Sequence, residues 1–265
     1  MKLLIIKLFP EFILGLVLLS SCEKVVDVKL KNAEPRIVIE GLLSDQDTNQ
    51  TVRISKTISF TEPDRFEGVE SASVVLTNEI GQTINFNPVA AGVYKSSKFA
   101  GVPGEKYVLK VTVEGQVYTA TSSMPEAVKL DSISFKKISF FGNDNIFPVA
   151  YYNDPEAVSN QYLFLVRFKE FEPHLLSEDR FNNGNNVIET LFFDSNDLAI
   201  GDTARIEMRG IDRNVYRYFF SIAQITGEGG PPVSPANPPS NFSNGALGVF
   251  SAYTSSTIIA VVGNR

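Results

Sequence analysis

Cysteine and histidine are nearly missing from this chain. Its 265 residues hold one Cys, at position 22, and one His, at position 174. A lone thiol excludes an internal disulfide, and a core of this size is stable without one. A Ser-His-Asp triad or an imidazole-based zinc site would have to use His174. That residue sits in Phe171-Glu172-Pro173-His174-Leu175-Leu176 and reads as a loop or surface histidine. The sequence has no Gly-x-Ser-x-Gly elbow and no glycine motif of the kind that cradles phosphate. A basic excess is lacking too: 24 Lys and Arg face 30 Asp and Glu, a formal charge of −6. That balance argues against nucleic acid, which requires basic patches, and against electrostatic docking on anionic lipid. No apolar run reaches the ~20 residues of a spanning helix, because Lys7, Pro10 and Glu11 interrupt the first hydrophobic stretch.

What is present starts at the N-terminus. Lys2 and Lys7 form a short positive region, residues 12–19 are apolar, and Ser20 and Ser21 are small. This is the order of a secretory signal. Leu19-Ser20-Ser21-Cys22 resembles the lipobox of bacterial lipoproteins, and the only cysteine falls where a lipobox requires one. The resemblance implies that residues 1–21 are removed and that the Cys22 thiol carries a diacylglycerol, with further acyl chains such as palmitate. Each buried methylene contributes about 0.8 kcal/mol, and stable anchoring takes two chains. Lys2, Lys7 and Glu11 together give the leader +1, so the mature chain stands near −7. After acylation it keeps no free thiol.

Residues 22–35 read as a polar tether. From 36 to 125 short β-branched and apolar runs alternate with turn signals, as at Ile80-Gly81-Gln82 and Glu114-Gly115. Tyr107, Leu109, Val111 and Val113 share one face of a strand. About six or seven strands at this spacing predict an antiparallel sandwich of immunoglobulin-like or transthyretin-like size. Residues 126–265 predict a second antiparallel β-rich domain with strands at 128–141, 146–152, 161–168, 187–193 and 204–211. Charged and apolar side chains alternate through Arg205-Ile206-Glu207-Met208-Arg209, which predicts one wet and one dry face. One helix is expected over 212–225, capped by Asp212, with Val215, Tyr218, Phe219, Ile222 and Ile225 as a core stripe. In 227–245, nine of nineteen residues are Gly or Pro, which excludes a helix or a central strand there. Two closing strands are expected at 246–253 and 257–262.

Three segments carry a family resemblance. They are Cys22-Glu23-Lys24-Val25-Val26-Asp27-Val28, Glu34-Pro35-Arg36-Ile37-Val38-Ile39-Glu40-Gly41, and Asn237-Pro238-Pro239-Ser240-Asn241 followed by Gly245-Ala246-Leu247-Gly248-Val249-Phe250-Ser251-Ala252-Tyr253. Together they resemble the Bacteroidota lipoprotein family known as domain of unknown function 4249. Asn244-Gly245 stands where that family commonly has two glycines. The resemblance implies a lipid anchor in the outer membrane, on its periplasmic or its surface face, and association with TonB-dependent receptor systems. It implies no reaction, cofactor or catalytic residue.

The expected function is therefore non-enzymatic: an accessory lipoprotein with a membrane partner. Asn237, Pro238, Pro239, Ser240 and Asn241 are the expected contact loop, because rigid prolines limit the entropy lost on binding. One rival is a glycan- or peptide-active hydrolase using carboxylates, since acids are plentiful. Another is a structural or adhesion protein of the envelope. Asp194-Ser195-Asn196-Asp197 with Asp202 is oxygen-rich enough to raise calcium, but it lacks the EF-hand glycine and terminal Glu, and Asp and Asn also initiate turns.

Overall fold

Alternation of buried and exposed side chains makes the first half of the chain a pair of sheets. The computed structural model describes residues 34–58, 67–140, 142–156, 158–179, 184–194, 198–226 and 237–263. The expected signal segment, Cys22 and the tether up to residue 33 lie outside them. The chain divides into two units, Met1–Glu34 and Pro35–Arg265, and all the described strands belong to the second. The first strands are β1 (Ile37–Ser44), β2 (Thr48–Lys56), β3 (Glu67–Gly68), β4 (Ala72–Asn78), β5 (Thr83–Ala90), β6 (Val93–Phe99), β7 (Lys106–Val113) and β8 (Gln116–Ser123).

β1, β2 and β6 pair antiparallel in one sheet, and β4, β7 and β8 in the other. β5 belongs to both: its residues 83–86 pair with β4, and 87–90 with β6. The register slips between Pro88 and Ala90, where the strand turns the corner. This is the strand distribution of an immunoglobulin-like sandwich. Ile39, Ile54, Leu76, Leu109 and Val111 fill its core, each within 1% of full burial. Burying side chains of this size stabilises by about 1.5–3 kcal/mol each. Glu114 and Gly115, at φ 50° and 82°, make the tight turn between β7 and β8.

β6 carries no clear hydrophobic alternation because a serine occupies its buried face. Ser96 Oγ accepts the Gln50 N–H and donates to the Ser97 carbonyl, so this polar side chain is satisfied inside.

The second half supplies β9 (Leu130–Phe140), β10 (Asn143–Asn153), β11 (Gln161–Arg167), β12 (His174–Glu178), β13 (Asn186–Thr190), β14 (Thr203–Ile211), the helix α1 (Arg213–Thr226) and β15 (Leu247–Val261). It is built in layers. β12, β11, β14 and β15 form the middle, the three-stranded sheet β13-β10-β9 covers one face, and α1 covers the other. β11 is therefore buried on both sides. Tyr162, Phe164 and Val166 face the three-stranded sheet, and Leu163 and Leu165 face the helix. Its continuous apolar run follows from that double cover. Asp212 caps α1, its Oδ1 accepting the N–H groups of Asn214 at 2.8 Å and Val215 at 3.0 Å. Its Oδ2 accepts from Ser122 Oγ, which ties the helix start to the end of β8.

The structure corrects four sequence expectations. The two expected closing strands are one, because Thr254, Ser255 and Ser256 continue the ladder opposite Gly210, Arg209 and Met208. The first half of β15 pairs in parallel with β1, from Val38↔Leu247 to Ser44↔Tyr253, and its second half pairs antiparallel with β14. One strand thus joins the sandwich to the layered half. The sandwich core also draws Phe242, Ala246, Phe250 and Ala252 from far beyond the expected boundary at 125/126.

The polar face expected to be wet at Glu207 and Arg209 is mostly covered. Glu207 accepts two bonds from Arg209, at 2.8 and 3.2 Å, and the guanidinium lies 4.4 Å from the centre of the Tyr253 ring. Of the expected helix stripe only Val215 is fully buried; Tyr218, Phe219, Ile222 and Ile225 are half-buried.

Candidate functional site

Strand β12 ends the sheet order among the described residues. The helix rises on one side of it and the segment after β13 on the other, so the strand edge becomes the floor of a groove. The groove has a volume of about 730 Å³. His174, Leu175 and Leu176 come from the floor, Tyr216, Phe220, Ala223 and Thr226 from α1, and residues 189–194 from the opposite wall. Aromatic rings stiffen both walls. Tyr216 and Phe220, one helical turn apart, stack with centroids 6.0 Å apart. Phe192 packs on Phe147 at 5.1 Å, Phe193 on Phe168 at 5.4 Å, and Phe171 on Phe168 at 6.0 Å.

The charged side chains that line the groove are acidic: Glu170, Glu172, Glu189 and Asp194. Glu172 pairs with Arg167, and its other oxygen lies 3.5 Å from His174 Nε2. Glu189 is different. Burial pushes its carboxyl above the usual range, against the opposing bonds from Ser177 and Tyr152. Both hydroxyls donate to its Oε2 at 2.9 Å. Behind it Tyr152 packs edge-on against Tyr162 at 5.2 Å, and Tyr162 donates to Asp154 Oδ1 at 2.5 Å. Burial raises both phenols, with Glu189 adding for Tyr152 and Asp154 for Tyr162, so both stay protonated donors. Asp154 is 1% exposed and its second oxygen, Oδ2, has no hydrogen-bond partner.

The residues singled out in the sequence are dispersed. Cys22 and residues 227–236 of the Gly/Pro stretch lie outside the described residues. The rest of that stretch is a strap along the free edge of β8. Ser243 N–H donates to the Thr119 carbonyl, and Asn244 Nδ2 to that of Val117. Asn241 faces inward. Its Nδ2 donates to the carbonyls of Thr121 at 3.2 Å and Phe250 at 2.7 Å, and its Oδ1 accepts the Phe250 N–H at 2.9 Å. Asn237 and Pro239 are exposed, and Pro238 and Ser240 are half-buried. Pro239 and Ser240 border a shallow depression beside Asn214 and Arg217 of α1.

Of the oxygen-rich segment, residues 195–197 are outside the described set. Asp202 accepts the Ala199 N–H at 2.8 Å and pairs with Lys169 at 2.9 Å; these contacts hold its carboxyl below the usual range. Among the described residues no three His, Cys, Asp or Glu side chains converge as metal ligands, and no helix is long and apolar enough to cross a membrane.

The sequence reading missed the groove. Its floor strand has no alternation, because Leu175 packs toward one layer and Leu176 toward the other. The available signal was the density of aromatic and acidic residues through 168–176 and 189–194.

The model of the family described as "Domain of unknown function (DUF4249)" matches residues 23–259. The chain belongs to the DUF4249 family. No curated protein matches it significantly. Among solved structures, this DUF4249 chain is similar to a DUF4785 family protein from Legionella pneumophila subsp. pneumophila. The identity is 14% and the TM-score 0.26, with 66% of this chain covered. The chain spans 52% of that protein. A cytokine receptor complex gives 8% identity and a TM-score of 0.27, with 86% of this chain and 97% of that one covered. Scores this low carry no functional argument for this DUF4249 member.

Proposed function

We propose that this protein is a non-enzymatic binding lipoprotein, held in an outer membrane by acyl chains on Cys22 and accessory to a TonB-dependent receptor or to uptake of that receptor's ligand. The supporting geometry is the groove along β12, where exposed aromatic rings and carboxylates gather on a fixed scaffold. Exposed large apolar side chains that cluster rather than scatter mark an interaction surface. The exposed Asn237 and Pro239, with Pro238 and Ser240, form a second contact surface in this reading. Asn241 belongs to the scaffold through its three internal bonds.

The deciding experiment isolates the tagged, acylated protein from its native membrane in mild detergent and identifies what accompanies it. A stoichiometric TonB-dependent receptor supports the reading. Its absence, in detergent that preserves other envelope complexes, counts against it. Cys22→Ala releases the protein or leaves it unprocessed, without altering its fold.

One observation favours the hydrolase rival: Glu189, a carboxyl with a raised pKa, lines the groove with other acids. Turnover of a polysaccharide or peptide that disappears in Glu189→Gln would establish that rival.

A further inference from the structure

The two ends of the long sheet order are treated differently. At β8 the strap covers the edge, with Phe242 bridged to Ala120 and Ser243 bonded to Thr119. At β12 no strand among the described residues pairs the outer side. Long unpaired edges invite another strand, so proteins usually blunt them.

The ladder shows which groups of β12 face outward. Phe168 and Phe171 exchange both backbone bonds, and Val166 donates to the Pro173 carbonyl. Antiparallel alternation then turns Leu175 and Ser177 toward β11, and the N–H and C=O of His174 and Leu176 toward the open side. Those outward groups lie on the groove floor. Above the floor stands Phe220, 42% exposed; on the other side stand Phe171, 45%, and Phe192, 53%. A strand laid on this edge would point alternate side chains at the helix wall and at the aromatic wall, the spacing that strand pleating requires.

The rim selects charge. Glu170 and Asp194 are exposed and form no ion pair with a basic side chain among the described residues, Glu172 adds a third acid paired with Arg167, and no described Lys or Arg lines the groove.

We infer that the groove takes an extended segment of a partner protein, with alternating apolar and basic residues, as an added strand on the edge of β12. Backbone bonds to His174 and Leu176 supply the pairing, Phe220 and Phe192 hold the apolar side chains, and Glu170 and Asp194 attract the basic ones. The inference rests on the reading of the protein as a binding module and names the chemistry of its ligand.

The probe is a blocked peptide of about ten residues alternating Lys and Val, long enough to span the edge. It is titrated into the full chain purified in mild detergent and followed by fluorescence anisotropy. Two control peptides replace every Lys with Glu, or every second residue with Pro. The Lys/Val peptide is expected to bind and to slow hydrogen exchange at the His174 and Leu176 amides. The controls are expected to bind at least about tenfold more weakly. His174→Pro removes one outward N–H without breaking a bond to β11, and Phe220→Asp alters one exposed wall. Each is expected to weaken binding by about tenfold or more while thermal unfolding stays cooperative. No binding of the Lys/Val peptide, equal binding of the proline peptide, or equal binding of the glutamate peptide overturns the proposal. Wild-type affinity in both variants overturns it as well. A receptor retained in membrane pull-downs of His174→Pro would remove the groove from the account and leave the accessory role standing.

Discussion

Glu189 joins the groove to the buried polar cluster behind it. Its carboxyl is raised, so the neutral form is the one the fold prefers. The stability it contributes is present below the unfolded glutamate value, about 4.3, and is lost as pH rises through the higher folded value. Glu189→Gln keeps an acceptor for Ser177 and Tyr152 and abolishes the titration. The variant should gain thermal stability over the natural chain as pH rises from about 4 to about 8, and a melting series across that range reads it. An offset that does not change with pH would mean the carboxyl is not raised. Gly248 shows a second residue-scale constraint. Its φ is +94°, and a Cβ placed there would lie 2.1 Å from the Ile39 carbonyl oxygen. Gly248→Ala should cost about 2–4 kcal/mol, from left-handed strain plus overpacking against backbone, measured as a shift in the urea midpoint.

Among the elements, the strap and β12 mark the two ends of the long sheet order. The strap protects an edge and ties two strands through a single side chain. Asn241→Ala removes three bonds and leaves the Phe250 N–H without its acceptor. A loss of about 2–3 kcal/mol is expected in chemical denaturation, because orphaning a buried group costs more than the net value of a bond. A loss below about 0.5 kcal/mol would show that other contacts hold the strap. Asp212 works at the same scale. Its position before the helix made it legible as a cap, but its bond to Ser122, ninety residues earlier in the chain, was not. Strand pattern was readable wherever one face is wet, as in β7, whose burial alternates strictly from Lys106 to Val111. It failed at β6, where a satisfied serine sits inside, and at β12, where both faces are half-covered.

Across the whole molecule, β15 decides cohesion. It holds Phe250 and Ala252 in the sandwich core, Val249 and Tyr253 beneath the helix, and Ile258 against the three-stranded layer. Truncation before Leu247 should therefore unfold both halves together, leaving no protease-resistant core. A stable fragment of about 90 residues surviving that truncation would show that the sandwich closes without β15. At this scale charge also matters. The Glu207–Arg209 pair is well shielded, and although burial pushes the Glu207 carboxyl up, the bonds and charge of Arg209 outweigh it and hold it below the usual range. That contribution is lost as pH falls through the folded value, the opposite direction to Glu189.

The sequence by itself determined the class of the fold and its local parts: the alternation of β7, the Glu114-Gly115 turn, the Asp212 cap and the membership marked by its three motifs. Each depends on residues near one another in the chain, where sterics and periodicity act directly. Only the tertiary structure decided that the last strand lies parallel to the first, that the proline-rich strap covers one edge, and that the other edge opens into an acidic, aromatic groove. Those outcomes depend on which surfaces remain unpaired once distant segments have packed, and no local pattern encodes them.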